Sequence, residues 1–320
     1  MRRALVALAV LVAAAAAHVC AQAPARLRWQ DVLQQPAAWY ATAEARAVAD
    51  NVLRFQRESG GWPKDIDMAA ATTVPAPARP DATIDNGATT TQIRLLSQVP
   101  GETYRAGAIR GIDYLLTAQY PNGGWPQFYP LRDDYSRHIT FNDDAMINVV
   151  TVLEDVALGK APFAYVDTAR RGKAADAVRR AVDVILKAQI VVNGTLTAWC
   201  AQHDAVTLEP RPARAYEHVS LSGAETTGIA RFLMRQPATP ALVRAVEAAV
   251  AWLRAVRQED GRWARFYEIG TNRPIFSGRD GVIHYQLAEI EQERRDGYAW
   301  FGTWPRALVE KEYERWKLAR

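Results

Sequence analysis

The feature that most constrains the fold is a repeated turn, in which a glutamine at the end of an apolar segment is followed by glycine and then by tryptophan. The tryptophans of the four copies are Trp62, Trp125, Trp199 and Trp263, which are 63, 74 and 64 residues apart. Glycine or asparagine after the last turn of a helix adopts the left-handed conformation that ends the helix. Each copy is therefore predicted to be a helix end, with its tryptophan folded back onto that end.

The segments between these turns have the spacing of helices. Apolar residues recur at three- and four-residue intervals in residues 144–157, 174–188, 225–234 and 240–256, whereas alternating β-branched residues are scarce. A repeat of this length is typical of helical hairpins arranged in a ring. We therefore predict an all-α toroid made by one domain over residues 24–320, with a surface loop at residues 71–80.

The first 23 residues have the pattern of a secretory signal peptide. Arg2 and Arg3 precede an apolar run over residues 4–17, and small residues follow. The run is shorter than the ~20 residues of a membrane span, and a valine before Cys20 is unfavourable for lipoprotein cleavage. We predict that residues 1–23 are removed and that the protein is secreted or periplasmic. Cys200 would then be the remaining cysteine, without an internal disulfide.

The charge balance gives no indication of nucleic-acid binding, because the chain has 39 basic and 35 acidic residues. A nearly balanced chain binds a polyanion only where basic side chains converge locally. No segment after the signal peptide has the length and hydropathy of a membrane span. We expect a monomer with neither a nucleic-acid partner nor a membrane partner.

Two loops rich in carboxylates and amides precede predicted helices. The first contains Asp85 and Asn86, and the second contains Asp143 and Asp144. Each loop could simply cap its helix. The two could also converge on a hard cation, because carboxylate and amide oxygens are ligands of calcium. The five histidines have no metal-ligand spacing, so the sequence does not indicate zinc.

Arginines occur in loops where their positions would be restricted. Arg211 and Arg214 lie in a proline-stiffened stretch, and a rigid guanidinium suits the recognition of a carboxylate. Arg279 and Arg295 lie beside glycines and aromatic residues. Taken singly, each is a solvated surface charge. Together with Lys187, they are the groups that a polyanionic sugar acid would require.

These motifs, in this order, resemble the pectate lyases of polysaccharide lyase family ten. The likeness covers residues 39–304 and rests on five motifs: Thr-Ile-Asp-Asn-x-Ala-Thr-Thr, the Gly-Gly-Trp-Pro turns, Phe-Asn-Asp-Asp-Ala-Met, Trp-Cys-Ala-Gln-His-Asp and Pro-Ala-Arg-Ala-Tyr-Glu. The resemblance implies an (α/α)3 toroid. It also implies calcium-dependent, endo-acting cleavage of polygalacturonate by anti β-elimination, which releases 4,5-unsaturated oligogalacturonides.

The resemblance further implies roles for individual residues. Three oxygen-bearing residues match the calcium and carboxylate site of the family: Asp85, Asn86 and Asp144. Three basic residues match its substrate-carboxylate contacts: Lys187, Arg279 and Arg295. Arg214 matches the catalytic base. His218 departs from the family pattern, in which an apolar residue is expected at that position.

Other functions stay open at this point. A glycoside hydrolase on a helical toroid could use paired carboxylates such as Asp144 and Glu225. A terpene cyclase also has helical repeats with glutamine, glycine and tryptophan, but this chain has no aspartate-rich diphosphate or protonation motif. A non-catalytic pectin-binding protein would use Arg214 for binding alone. Release of an unsaturated product separates a lyase from all three.

Overall fold

The structure, a computed structural model, describes residues 27–320, so the predicted signal peptide lies outside the described residues. The α-helices of this part of the chain are α1 (Ala43–Phe55), α2 (Thr90–Gln98), α3 (Glu102–Ala118), α4 (Ala145–Leu158), α5 (Thr168–Ala188), α6 (Glu225–Met234), α7 (Pro240–Ala255), α8 (Gln292–Gly297) and α9 (Tyr313–Ala319).

Helices α2 to α7 form three consecutive hairpins, in which α2 packs on α3, α4 on α5, and α6 on α7. The first helices of the hairpins form an inner row, because α4 contacts both α2 and α6. The second helices form an outer row, in which α5 contacts α3 and α7. Helix α1 packs against α2 and α3, and the turn Leu308–Glu312 that leads into α9 packs against α7. This arrangement confirms the predicted all-α toroid of helical hairpins.

The helices of the hairpins begin in two ways. The first turns of α1, α5 and α7 are capped by side chains: Thr42, Asp167 and Thr239 each accept a hydrogen bond from a backbone N–H. Helices α2, α3 and α4 have no such side-chain cap. Before α6, the Oγ of Ser222 accepts from Glu225 N at 3.3 Å. The polar residues before α2 and α4 are therefore available for contacts other than capping.

The β-structure of the described chain consists of short two-stranded pairs in the connections between helices. The pairs are Ile139–Thr140 with Gln202–His203, Leu221–Ser222 with Phe266–Tyr267, Trp263–Ala264 with Phe301–Gly302, Val191–Val192 with Thr195–Leu196, and Phe276–Ser277 with Ile283–His284, all antiparallel. These pairs join the loops that enter neighbouring hairpins and so hold the loops together at one end of the helices.

The repeated tryptophans are fully buried and close the helix ends as predicted. The indole Nε1 of Trp62 donates to Val52 O at 2.8 Å, and that of Trp125 donates to Leu115 O at 2.7 Å. Trp199 and Trp263 make the same contact to carbonyls of α5 and α7. Each tryptophan therefore satisfies a backbone group near the end of the preceding helix while filling the core.

The repeated glutamines connect successive hairpins. The Nε2 of Gln119 donates to Gly123 O in its own turn at 3.0 Å and to Ala177 O of α5 at 2.9 Å. Gln56 makes the equivalent pair of contacts with its own turn and with α3, and Gln189 does so with its own turn and α7. Gly123 has a φ of +102°, and a Cβ there would lie 2.2 Å from Arg180 O, so only glycine allows the turn to approach α5 this closely.

The described residues include no helix that is both long enough and apolar enough to cross a membrane. Cys200 is a free, buried cysteine. The core that holds the hairpins together is instead built from side chains of the inner helices, where α4 buries residues on most of its faces.

Candidate active site

Two turns at the start of inner helices form one side of the candidate site. The turn Asp85–Gly87 precedes α2, the turn Asn142–Asp144 precedes α4, and the two turns pack against each other. Asn86, Asp143 and Asp144 have positive φ values of 51°, 50° and 57°. Asparagine and aspartate adopt this conformation more readily than other non-glycine residues. The structure thus brings together the two acidic loops that the sequence singled out.

Asp85 is held in place by a lysine and a glutamine that the sequence analysis did not identify. Its carboxylate is 3% exposed, and its Oδ2 accepts hydrogen bonds from Lys64 Nζ at 2.5 Å and Gln127 Nε2 at 2.6 Å. The Oδ1 atom accepts from the backbone of Asn86 at 3.1 Å. Lys64 directly follows Trp62 and Pro63 in the first turn of the repeat, and this position is the feature of the sequence that could have indicated Lys64. Asp85 makes no side-chain cap for α2.

Asp144 is exposed to solvent over part of its surface, and its carboxylate is crowded by other acids. Desolvation by the surrounding protein, together with the nearby charges of Glu225 and Asp143, raises its pKa to about 6. Its Oδ1 lies so close to α6 that a Cβ added to Gly228 would be 1.9 Å away. Asp144 occupies the position before α4 without capping it. Helix capping therefore does not account for this residue, and its surroundings favour a cation.

Arg265 is the basic residue nearest this acidic turn. Its Nη2 lies 3.1 Å from Asp143 Oδ1 and 3.6 Å from Glu225 Oε1. Burial disfavours the charged guanidinium, but Glu225, Tyr298 and Asp143 together outweigh it, so the pKa of Arg265 is raised. One guanidinium thus faces three carboxylates, counting Asp144. Within residues 27–320, no three acidic, imidazole or thiol side chains are grouped closely enough to form a metal site by themselves.

Arg214 lies on the other side of the candidate site in a bidentate pair with Glu217. Arg214 Nε donates to Glu217 Oε2 at 2.9 Å, and Nη2 donates to Oε1 at 2.5 Å. Glu217 is buried and also accepts a hydrogen bond from Tyr298 Oη at 3.0 Å. The contact with Glu217 raises the pKa of Arg214. In turn, burial acts against ionisation of Glu217, but Arg214 outweighs it and lowers the pKa of this carboxyl.

Tyr298 joins the two sides of the site. Its hydroxyl donates to Glu217 and accepts a hydrogen bond from Arg265 Nη1 at 3.2 Å. A continuous chain of contacts therefore runs from Arg214 through Glu217, Tyr298 and Arg265 to the acidic turn before α4. Neither Arg265 nor Tyr298 was predicted from the sequence. Arg265 stands two residues after Trp263, the same offset as Lys64 from Trp62, so the repeat indicated this position, whereas the position of Tyr298 relative to the repeat gives no such indication.

Tyr135 is a partly buried residue that lies near both sides of the site. Burial raises the pKa of its hydroxyl, and the charges of Arg214, Glu217, Asp85 and Lys64 all act on it. Both the lysine-held Asp85 and the glutamate-held Arg214 therefore belong to its electrostatic surroundings. This tyrosine is a further residue that the sequence analysis missed.

The two adjacent arginines of α8 have different surroundings. The guanidinium of Arg294 lies 4.4 Å from the centre of the Tyr216 ring, and that of Arg214 lies 4.8 Å from the same ring. Arg295 instead donates to Ala288 O at 3.2 Å and contacts Gln292. The structure therefore brings Arg294, rather than Arg295, to the loop that carries Arg214.

The two other basic residues predicted to contact substrate are engaged in surface ion pairs. Lys187, with a side chain 63% exposed, pairs with Asp183 at 2.7 Å one turn earlier in α5. Arg279 pairs with Glu293, and its side chain is 64% exposed. Among the described residues, neither one takes part in the chain of contacts between Arg214 and Asp143. Their role as substrate contacts stays a prediction.

Comparisons with known proteins give the family. Residues 56–262 and 254–309 match the family described as pectic acid lyase. The structure is similar to that of a family 10 polysaccharide lyase from Cellvibrio cellulosa, with a TM-score of 0.80 and 36% identity over 89% of this chain and 94% of that chain. A mutant of the family 10 lyase from the same organism, in complex with trigalacturonic acid, has a TM-score of 0.80 and 37% identity over 89% of this chain and 98% of that chain. The comparison with curated proteins finds no match.

The family match and the structural similarity cover the same hairpins and the same loops that form the candidate site. An identity above a third over most of both chains is far more than a shared fold would require. The chain therefore belongs to the pectic acid lyases, in polysaccharide lyase family 10, and is an enzyme of that class.

Proposed function

We propose that this pectate lyase cleaves polygalacturonate within the chain by calcium-dependent anti β-elimination, releasing 4,5-unsaturated oligogalacturonides. The observation that carries the proposal is the chain of contacts that runs from Arg214 through Glu217, Tyr298 and Arg265 to Asp143 and so brings an arginine and an acidic turn into one site. A sugar acid bound there would lie between the acidic turn and Arg214. The complex of the similar Cellvibrio lyase with trigalacturonic acid supports polygalacturonate as the substrate.

In β-elimination, a base removes the proton on C5 of the uronate, the C5–H electron pair forms the double bond to C4, and the bond from C4 to the glycosidic oxygen breaks. Negative charge develops on the neighbouring carboxylate as the proton leaves. Cationic groups that contact this carboxylate therefore stabilise the transition state more than the ground state. The basic side chains around the cleft supply part of this stabilisation.

We propose that calcium supplies the rest and is held by Asp85, Asn86 and Asp144. The fit is supported by charge, because the carboxylate of Asp144 lies near those of Asp143 and Glu225 and has a raised pKa, with Arg231 and Arg265 as counter-charges. A divalent cation would remove this excess of negative charge. When bound, calcium would neutralise a carboxylate of the substrate.

Arg214 is proposed as the base that removes the C5 proton. The side chain of Arg214 accepts a proton only as the neutral guanidine, and the pair with Glu217 favours the protonated guanidinium. Proton abstraction by Arg214 therefore requires this pair to loosen when substrate binds. Bound calcium and the substrate's exclusion of water would both favour the neutral guanidine. Lys187, Arg279 and Arg295 are proposed to contact other substrate carboxylates once the ion pairs of Lys187 and Arg279 and the hydrogen bonds of Arg295 exchange for the polymer.

We further propose that the protein acts outside the cytoplasm, as a secreted or periplasmic monomer. The support is the arginine-led apolar segment in the first 23 residues and the nature of the substrate, a polymer too large to reach an enzyme inside the cell.

The test is incubation of purified protein with polygalacturonate while ultraviolet absorbance and solution viscosity are recorded together. We expect absorbance from the unsaturated product to rise, viscosity to fall early, and a chelator to stop both until calcium is restored. Asp144→Asn should weaken the calcium response, whereas Asp133→Asn, at a fully exposed position, should not. Saturated products alone would identify a hydrolase, and activity that survives chelation would exclude the calcium requirement.

A further inference from the structure

A second cavity lies directly beside the candidate cleft. It has a volume of about 380 Å³, within the ~300–1,000 Å³ range of small-molecule sites. It is bounded by the N-terminal turn of the described chain, the loop after the first repeat turn, and the start of α2. The residues on its wall that matter here are Arg28, Trp29, Lys64, Asp65, Asp67 and Asn86. We refer to this cavity as the N-terminal pocket.

The N-terminal pocket is continuous with the site through two shared residues. Asn86 belongs to the turn that carries Asp85, and it lines the pocket. Lys64 also lines the pocket, and its ammonium contacts Asp85 at 2.5 Å. A polysaccharide that lies on Asp85 and runs on past Asn86 would therefore enter this pocket with its next units.

The wall of the pocket presents groups that recognise an acidic sugar. Trp29 is partly buried against the core, so its indole is held as a fixed apolar surface. Flat apolar surfaces of this kind suit the C–H face of a pyranose ring. Arg28 has a side chain 68% exposed and is oriented by Asp31, which accepts from its Nε at 2.7 Å. An exposed guanidinium is suited to a carboxylate.

The two acids of the pocket do not cancel this preference. Asp65 accepts a hydrogen bond from Asn86 Nδ2 at 2.9 Å and lies 3.6 Å from Lys64. Asp67 accepts one from the backbone of Ala69 at 3.1 Å. Both carboxylates are therefore engaged by donors of the protein. Arg28 is also engaged, by Asp31 through its Nε, but its side chain is 68% exposed.

We propose that the N-terminal pocket is a further subsite of the cleft, which binds a galacturonate unit of the polymer beyond those at the reacting bond. Trp29 would contact the sugar ring, and Arg28 would contact its carboxylate. The inference rests on the proposed function for the identity of the sugar. Arg28 and Trp29 precede residue 56, where the family match begins.

The test compares trigalacturonate with hexagalacturonate by calorimetry and by initial rates, for the unmodified protein, Trp29→Ala and Arg28→Gln. Trp39→Ala is the matched control, because Trp39 lies in the same N-terminal segment, outside the pocket, and bonds to Glu44 at 2.9 Å. We expect each pocket variant to weaken hexagalacturonate binding by roughly five- to tenfold, as for one aromatic or charged contact. Binding of trigalacturonate, and kcat with it, should stay unchanged. Arg28→Gln tests the pocket without touching the core.

Equal affinity of the pocket variants and the unmodified protein for hexagalacturonate would overturn the subsite while leaving the lyase activity intact. Equal weakening by Trp39→Ala would also overturn it, because the effect would then belong to the whole segment. If the protein bound hexagalacturonate through Trp29 and Arg28 but released no unsaturated product, the subsite would stand and the proposed reaction would fail.

Discussion

Arg214 and Glu217 form a two-bond ion pair, and Glu217 is the buried partner of the two. Glu217 is fixed from behind by the hydroxyl of Tyr298 at 3.0 Å, so the carboxylate keeps its position if the guanidinium moves. If Arg214 is the base, it has to leave this pair when substrate binds. This geometry makes separate predictions for the two residues.

Substitution of Arg214 by lysine keeps a positive charge but removes the planar guanidinium. We expect kcat on polygalacturonate to fall by ~10²–10⁴, the range for loss of a general base, while KM changes little. Arg211→Lys is the control, because Arg211 lies in the same proline-rich stretch and pairs with Asp204 at the surface. A raised KM with a nearly normal kcat would make Arg214 a binding residue.

Glu217→Gln preserves the shape of the buried side chain and removes its charge. Because Glu217 raises the pKa of Arg214, the substitution lowers that pKa and increases the neutral fraction of the guanidine at a given pH. A base acts in its neutral form, so the acidic limb of the kcat profile should move to lower pH. Rates measured from pH 6 to pH 11 at saturating substrate provide the readout. A profile that keeps its position would argue against Arg214 as the titrating base.

Gly228→Ala places a methyl group where Asp144 Oδ1 now lies, at a separation of 1.9 Å. We expect the acidic turn to shift and activity to fall by roughly 10²-fold, as for a displacement of about 1 Å in an active site. The free energy of unfolding should fall by about 1–3 kcal/mol. Urea unfolding and initial rates on the same samples separate the two effects.

The control for this substitution is Gly172→Ala in α5, where the added Cβ has no heavy atom within 4 Å. It should raise stability by about 0.5–1 kcal/mol, since alanine is the better helix former, and leave the rate unchanged. Full activity of folded Gly228→Ala would show that the reaction does not depend on the position of Asp144.

His203 predicts how stability depends on pH. Its Nδ1 contacts Leu208 O at 2.8 Å, its Nε2 accepts from the backbone of Cys200 at 3.1 Å, and burial lowers its pKa to about 4. The unfolded chain binds a proton near pH 6.5 that the folded protein does not bind until pH 4. The contribution of neutral His203 to the free energy of unfolding is therefore complete above pH 6.5. It falls by roughly 3 kcal/mol as the pH decreases to 4.

Urea unfolding at pH 8 and pH 5 measures this loss, which should amount to about 2 kcal/mol at the lower pH. The variant His203→Gln should be less stable at pH 8. Its free energy of unfolding should fall less on acidification, because a glutamine side chain does not titrate. The same loss in both proteins would assign the pH dependence to other residues.

The helical repeat was predictable because its signals are local. A glutamine, a glycine and a tryptophan within about ten residues specify a helix end, and the structure closes each one through the indole of the tryptophan. The acidic turns were predictable for the same reason, since asparagine and aspartate accept the left-handed backbone that Asn86 and Asp143 adopt.

The other half of the site was not predictable, because its contacts join distant parts of the chain. Arg265 pairs with Asp143, 122 residues earlier, and Tyr298 reaches Glu217 across 81 residues. Such pairings depend on which loops the hairpins bring to the same end of the fold. The spacing of Arg214 and Glu217 by three residues was visible in the sequence, but the burial that strengthens their pair was not.

The glutamine contacts give the row of hairpins a direction. Gln56, Gln119 and Gln189 reach forward to carbonyls 51, 58 and 56 residues later, each in the next outer helix. Gln258, in the final copy, donates back to Val256, two residues earlier. A duplicated hairpin inserted between existing ones would therefore need two groups. Its glutamine side chain would have to donate to the next hairpin, and a backbone carbonyl of its outer helix would have to accept from the glutamine of the hairpin before it. Gene duplication can lengthen such a protein in whole units, and the last unit is the one whose glutamine amide bonds within its own turn.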